Sequence, residues 1–262
     1  MALAILVAIG CGSGKPQEAA AVDEAAEAQQ PAAPAAPATP PAASPEAPAG
    51  GGGTITGSVR FMGAPPQAQA VKMDADPVCK QQHATPVMSE EVVVNQNGTL
   101  KNVFVYVKEG AQPAAAPPAA PVVLDQAGCW YKPHVFGIQV NQPLEIVNSD
   151  ATLHNVNAKP AANQAFNVAQ PAKGMRTTKK FAKPEVGVKF KCNVHPWMSA
   201  YAVVLDHPYF AVTDDQGAFS ITGLPAGSYT LEAWHEKYGA QTQTVVVGSG
   251  ETKSVELTVK AP

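Results

Sequence analysis

Thr54-Ile55-Thr56-Gly57-Ser58-Val59-Arg60-Phe61 alternates apolar and polar residues, and the pattern returns along the chain. Similar short runs lie at 91–94, 102–107, 135–140, 144–147 and 186–190, then at 201–205, 218–221, 228–233, 242–247 and 254–259. They are rich in Val, Thr, Phe and Tyr and are bounded by Gly, Pro, Asn and Asp, the composition of half-buried strands joined by turns. Asn97-Gly98 predicts a hairpin whose two turn residues take positive φ. No long segment carries an apolar stripe of helical period. The fold class is therefore all-β: a pair of sandwiches, or one sandwich with an extension.

Composition bounds the rest. The chain has 262 residues with 25 Pro and only 15% charged residues, against about 25% in an average globular protein. Much of the proline lies before residue 54, in Ala, Pro, Gln, Glu and Gly with no aromatic from Lys15 to Gly53. Such a stretch buries too little apolar surface to offset chain entropy, so residues 12–53 are expected to be a disordered linker. A second Ala/Pro stretch at 109–121 reads as a surface loop or a domain boundary. The formal net charge of −3 excludes a generic nucleic-acid binder. No apolar run approaches the roughly 20 residues of a membrane-spanning helix.

Met1 to Gly14 is a short apolar run ending in Gly10-Cys11. It resembles a bacterial lipoprotein signal, although no Lys or Arg precedes the run. The resemblance implies lipidation at Cys11, export, and tethering to a bacterial membrane on the periplasmic or cell-surface side. The Pro-rich residues that follow suit a semi-rigid spacer.

The chemistry concentrates in Lys191-Cys192-Asn193-Val194-His195-Pro196-Trp197-Met198 and, upstream, Asp150-Ala151-Thr152-Leu153-His154-Asn155-Val156. Two imidazoles, a thiolate and a thioether form the ligand set of a blue-copper site, with soft sulfur favouring the reduced ion and imidazole serving both redox states. Zinc is a poorer occupant, because thioether is not a usual ligand in structural zinc sites. The spacing Cys-x2-His-x2-Met, with His-Asn-Val upstream, resembles the cupredoxins, in particular amicyanin and plastocyanin. That resemblance implies a Greek-key β-sandwich over about 122–206 with one type 1 mononuclear copper. His154, Cys192 and His195 would be its equatorial ligands and Met198 the axial one. Asn155 would tie the two ligand loops together beside the sulfur. Electrons would pass through the His195 ring edge at the surface, amid an apolar patch containing Pro196 and Trp197.

Cys79 and Cys129 remain. In an exported chain a leftover pair suggests a disulfide. A Cys2His2 metal site with His83 and His134, or two free thiols, stand as alternatives. Near the C-terminus, the run from Asp214 through Gly217, Phe219, Ile221, Leu224-Pro225 and Gly227 to Tyr229 and Leu231 resembles the carboxypeptidase regulatory-like, or transthyretin-like, β-sandwich. That implies a second sandwich over 207–262. The intervening 54–121 reads as an N-terminal β region, whose strand at 54–62 is a candidate first strand for that sandwich. Trp234 and His235 read either as a sugar or metal platform or as a half-buried aromatic beside a surface histidine.

No catalytic arrangement stands out, so the expectation is a non-enzymatic, membrane-tethered electron carrier. Between Lys159 and Lys191 lie eight basic residues against the single acid Glu185. They suggest an acidic redox protein docking near His195 and steered by charge. The competing expectation is a non-redox cell-surface protein binding glycan or peptide, with a structural metal or none.

Overall fold

The computed structural model describes residues 51–114 and 116–261. Cys11 and the linker up to residue 50 lie outside the described residues. The strands run in chain order as β1 (Gly53–Met62), β2 (Phe104–Glu109), β3 (Val122–Gln126), β4 (Tyr131–Lys132), β5 (Val135–Gln139) and β6 (Leu144–Asn148). Next come β7 (His154–Ala158), β8 (Phe166–Gln170), β9 (Arg176–Lys179), β10 (Glu185–Lys191) and β11 (Ser199–Leu205). The last five are β12 (Phe210–Val212), β13 (Ala218–Leu224), β14 (Gly227–His235), β15 (Gly239–Val247) and β16 (Thr252–Lys260). One short helix, α1 (Pro77–Gln81), falls between β1 and β2. Among the described residues no helix is long and apolar enough to cross a membrane.

The strands form four sheets, ordered β13-β1-β16, β12-β2-β14-β15, β5-β11-β10-β7-β8 and β4-β3-β6-β9. Three apolar clusters stack these sheets into two β-sandwiches lying face to face. Ile55, Val59, Val105, Ile221, Leu231 and Leu257 fill the space between the first two sheets. Leu124, Ile138, Ile146, Val188, Phe190 and Ala202 fill that between the last two. Phe104, Tyr106, Val135, Tyr201, Val203 and Phe210 form the third cluster, joining the sandwiches. This explains why β2 is buried at four consecutive positions. Val105 and Val107 face one core while Phe104 and Tyr106 face the joint, a consequence of the two-residue side-chain period.

The stretch 54–121 is shared out. Residues 54–62 run parallel to β16 in unbroken register, Thr54 opposite Thr252 through Met62 opposite Lys260, and pair on the other edge with β13. β2 lies between β12 and β14. The described residues thus start in one sandwich, build the other from β3 to β11, and return. The expected strand at 91–94 reduces to a single bridge between Val94 and Leu100, because Asn95 to Gly98 form a wider turn closed by Asn95 and Thr99. Gly98 takes φ +79, but Asn97 is not among the positive-φ residues and spends its side chain on Thr99 and the Gln216 carbonyl.

The joint depends on two glycines. At Gly187, φ is +76 and an added Cβ would lie 2.8 Å from Trp234 Cζ2. It sits where the β10 register shifts, a bulge that lets the indole approach the backbone. Gly137 likewise accepts the ring of Phe210. Trp234 is accordingly part of the joint, 5.7 Å from Tyr201, rather than an open platform.

His235 corrects the expectation of a surface histidine: it is 1% exposed and packs 4.9 Å from the Tyr238 ring. Burial pushes its pKa down to about 4. The unfolded chain protonates this residue near pH 6.5, while the folded protein does not until about pH 4. Stability is therefore lost as pH falls through that window, by up to about 3 kcal/mol from this group. Urea unfolding at pH 7 and pH 4.5 should show a smaller acid loss in His235→Gln than in the wild type. Equal losses would remove His235 as the cause.

Candidate metal centre

Two loops at one end of the β3–β11 sandwich bring the site together. β7 opens with His154, whose ring is fully buried, and β10 delivers Cys192 at its end. The turn behind Cys192 closes tightly: the Cys192 amide donates to the Met198 carbonyl at 3.1 Å and the Met198 amide to that of His195 at 2.9 Å. His195 therefore returns beside the cysteine, and Met198 turns into the same core, fully buried.

Donor atoms of His154, Cys192 and His195 all lie within 4.8 Å of one another. The two Nδ1 atoms are 2.9 Å apart, and Cys192 Sγ is 3.7 Å from His195 Nδ1. Each ring turns its Nε2 onto a carboxylate, His154 onto Asp150 Oδ2 at 3.0 Å and His195 onto Asp76 Oδ2 at 2.9 Å. A carboxylate accepts from Nε2–H, which fixes the tautomer and leaves both Nδ1 lone pairs facing inward. Two such acceptors at 2.9 Å repel unless a proton or a metal cation lies between them. The residues present thus fit a soft, singly placed cation.

The electrostatics agree. Burial pushes the Cys192 thiol up, but its hydrogen bond with His154 and the amides of Asn155, His195 and Val194 outweigh this and bring it down to about 6. Burial opposes charge on His154, yet Asp150 and Cys192 raise it to about 9, so at neutral pH a proton takes the place between the two Nδ1 atoms and a metal ion would bind by displacing it. The thiolate is the metal-binding form, and it is favoured here near neutral pH. Burial works against ionisation of Asp76 and Asp150 too, and hydrogen bonds from the histidines and nearby amides hold both carboxyls below the usual range. Asn155 Oδ1 accepts from the Asn193 amide at 2.7 Å and lies 3.5 Å from Cys192 Sγ. It touches both ligand loops.

Cys79 and Cys129 are joined in a disulfide. The alternative Cys2His2 site does not form, because His134 pairs with Glu236 and His83 bonds the Gly128 carbonyl at 2.7 Å. The disulfide abuts the centre, with Cys79 Sγ 3.6 Å from His195 Nε2.

The expected open edge of His195 is corrected. The residue is 2% exposed, because Asp76 covers the nitrogen that would face solvent. Pro196 remains exposed and Trp197 half-buried, its ring centroid 5.1 Å from that of His195. Basic residues from Lys159 to Lys191 are spread over β8–β10 and their loops; all are exposed except the half-buried Lys179. Arg176 is paired with Glu145.

The sequence assigns no role at the site to Asp76 or Asp150. Asp76-Pro77 does carry a helix-start signature, an N-cap followed by Pro at the first helical position. Asp150, four residues before His154, carries no comparable signal.

Residues 198–260 match the family model of the carboxypeptidase regulatory-like domain. No curated protein matches the chain. Among solved structures it is similar to a Cu-containing nitrite reductase from Thermus scotoductus SA-01, at 24% identity and TM-score 0.32, over 37% of this chain and 26% of that one. It is also similar to a mutant of amicyanin in the Cu(I) state, at 21% identity and TM-score 0.29, over 38% of this chain and 97% of that one. A purple cupredoxin from Nitrosopumilus maritimus shares 24% identity at TM-score 0.27, over 32% of this chain and 98% of that one.

Proposed function

We propose that His154, Cys192 and His195, with Met198 as a thioether donor, would hold one copper ion, and that the protein is a non-enzymatic carrier of single electrons. One observation carries this reading: two imidazole Nδ1 atoms and one thiol converge in a buried pocket while both outer nitrogens are anchored on carboxylates. Bound copper would supply one-electron chemistry at this pocket. The chain's own part is to hold the donors fixed. β7 and the closed 192–198 turn set their positions, Asp150 and Asp76 orient the rings, and Asn155 keeps the loops together. The Cys79–Cys129 disulfide supports an oxidising, extracytoplasmic compartment, and Cys11 is the proposed lipid anchor. An acidic redox partner docking near Pro196, Trp197 and the basic 159–191 segment completes the proposal.

A second reading has its own observation. The covered edge of His195 suits a metal that braces the two loops without exchanging electrons. In that case the ligand surface would be the open groove of about 570 Å³ across β13-β1-β16, bordered by Thr56, Ser58, Phe219 and Glu256. Voltammetry of the copper-loaded protein separates the two. A reversible one-electron wave, lost in His154→Ala, supports the carrier. Copper bound at one per chain without such a wave supports the brace.

A further inference from the structure

The segment from Asp74 to His83 does something that neither copper reading requires. It crosses the outer edge of His195. The Asp76 carboxylate is divided between two tasks. Its Oδ1 caps α1, accepting from the Val78 amide at 2.8 Å and the Cys79 amide at 3.2 Å. Its Oδ2 accepts from Thr152 Oγ1 at 3.1 Å and lies 2.9 Å from His195 Nε2. Helix capping thus aims the carboxylate at the histidine.

What keeps the helix there is narrow. Within α1, only Cys79 is buried. The segment is fixed at its base by Met73 in the core and by the Val71 amide bonded to the Val87 carbonyl at 2.8 Å. Beyond that base its ties to the site side are the disulfide, the Asp76 contacts and the polar contacts of Gln82 and His83 with Cys129 and Gly128. The far side of the disulfide is rigid, because Asp150 takes the Gly128 and Cys129 amides at 2.8 and 2.7 Å.

We infer that the Asp74–His83 segment is a disulfide-held cover for His195, in which Asp76 is a positioning residue and cleavage of Cys79–Cys129 opens the ring edge to solvent. A dithiol reductant performs the release. It breaks the S–S bond, gives two electrons and two protons to leave two thiols, and closes to its own disulfide. The inference rests on the copper reading only for what Asp76 does to a bound ion; the cover itself needs no metal.

The test therefore uses the full-length metal-free protein. Diethyl pyrocarbonate labels accessible imidazole nitrogens, and peptide mass mapping gives the rate at each histidine. Wild type is compared with wild type reduced by dithiothreitol and desalted, with the Cys79→Ser/Cys129→Ser double variant, and with Asp76→Ala. His195 should label about tenfold faster or more in all three, the factor expected for losing a hydrogen bond to a charged group. His207, which bonds the Val107 carbonyl, and His235, which packs on Tyr238, are buried in or beside the other sandwich and should keep their wild-type rates. An unchanged His195 rate in Asp76→Ala overturns the inference. So does a matching rise at His207 and His235 in every altered sample, which would mean general loosening instead of release of the segment. In the copper-loaded protein, Asp76→Asn should raise the reduction potential by removing negative charge beside His195. If no copper binds, the copper reading fails while the labelling result still decides the cover.

Discussion

Phe190→Ala should lower the unfolding free energy by about 3–5 kcal/mol, the range for truncating a buried phenylalanine. Phe190 is fully buried at the centre of the site-bearing sandwich, with ring centroids of Phe136 at 5.6 Å and of Phe166 and Phe181 at 6.3 Å. Its cross-strand partners are Ala158 and Ala200. Neither is large enough to fill the space left behind, so collapse around the cavity is limited and the cost should lie toward the upper part of the range. Urea unfolding followed by tryptophan fluorescence measures it. A loss below about 1 kcal/mol would mean that the aromatic cluster repacks and does not act as the sandwich's keystone.

Removing the disulfide should cost a similar amount. Cys79 and Cys129 are 50 residues apart, and closing a loop of that length restricts the unfolded chain by about 4 kcal/mol in the chain-entropy account. Guanidinium unfolding of Cys79→Ser/Cys129→Ser against wild type gives the value. A difference under about 1 kcal/mol would show that the unfolded chain already holds these segments together.

These effects fall where sequence and structure part company. Strand composition was enough to find β1, β2, β5, β6, β10, β11 and the last four strands, since each has at least one face on a core. It missed β3, β4, β7, β8, β9 and β12; of these, Phe166-Asn167-Val168-Ala169-Gln170 of β8 and Arg176-Thr177-Thr178-Lys179 of β9 are edge strands with little apolar surface to bury. Pairing of β1 with β16 across some two hundred residues is set by tertiary packing, and only the resemblance of 207–262 to a known sandwich hinted at it. The site divides in the same way. The convergence of His154, Cys192 and His195 was legible because ligand chemistry asks for those types on neighbouring loops. Asp76 was not, because a carboxylate 119 residues from His195 reaches it only through the disulfide-held helix. That one residue also explains why the open ring edge implied by resemblance is covered here.

We propose that Cys192 Sγ and the two facing Nδ1 atoms hold copper. The most direct test is copper titration of the full-length protein, followed by visible absorption. One equivalent should bind and produce an intense thiolate-to-copper band that is absent from Cys192→Ser. Copper that binds without that band, or a band that survives in Cys192→Ser, would contradict it.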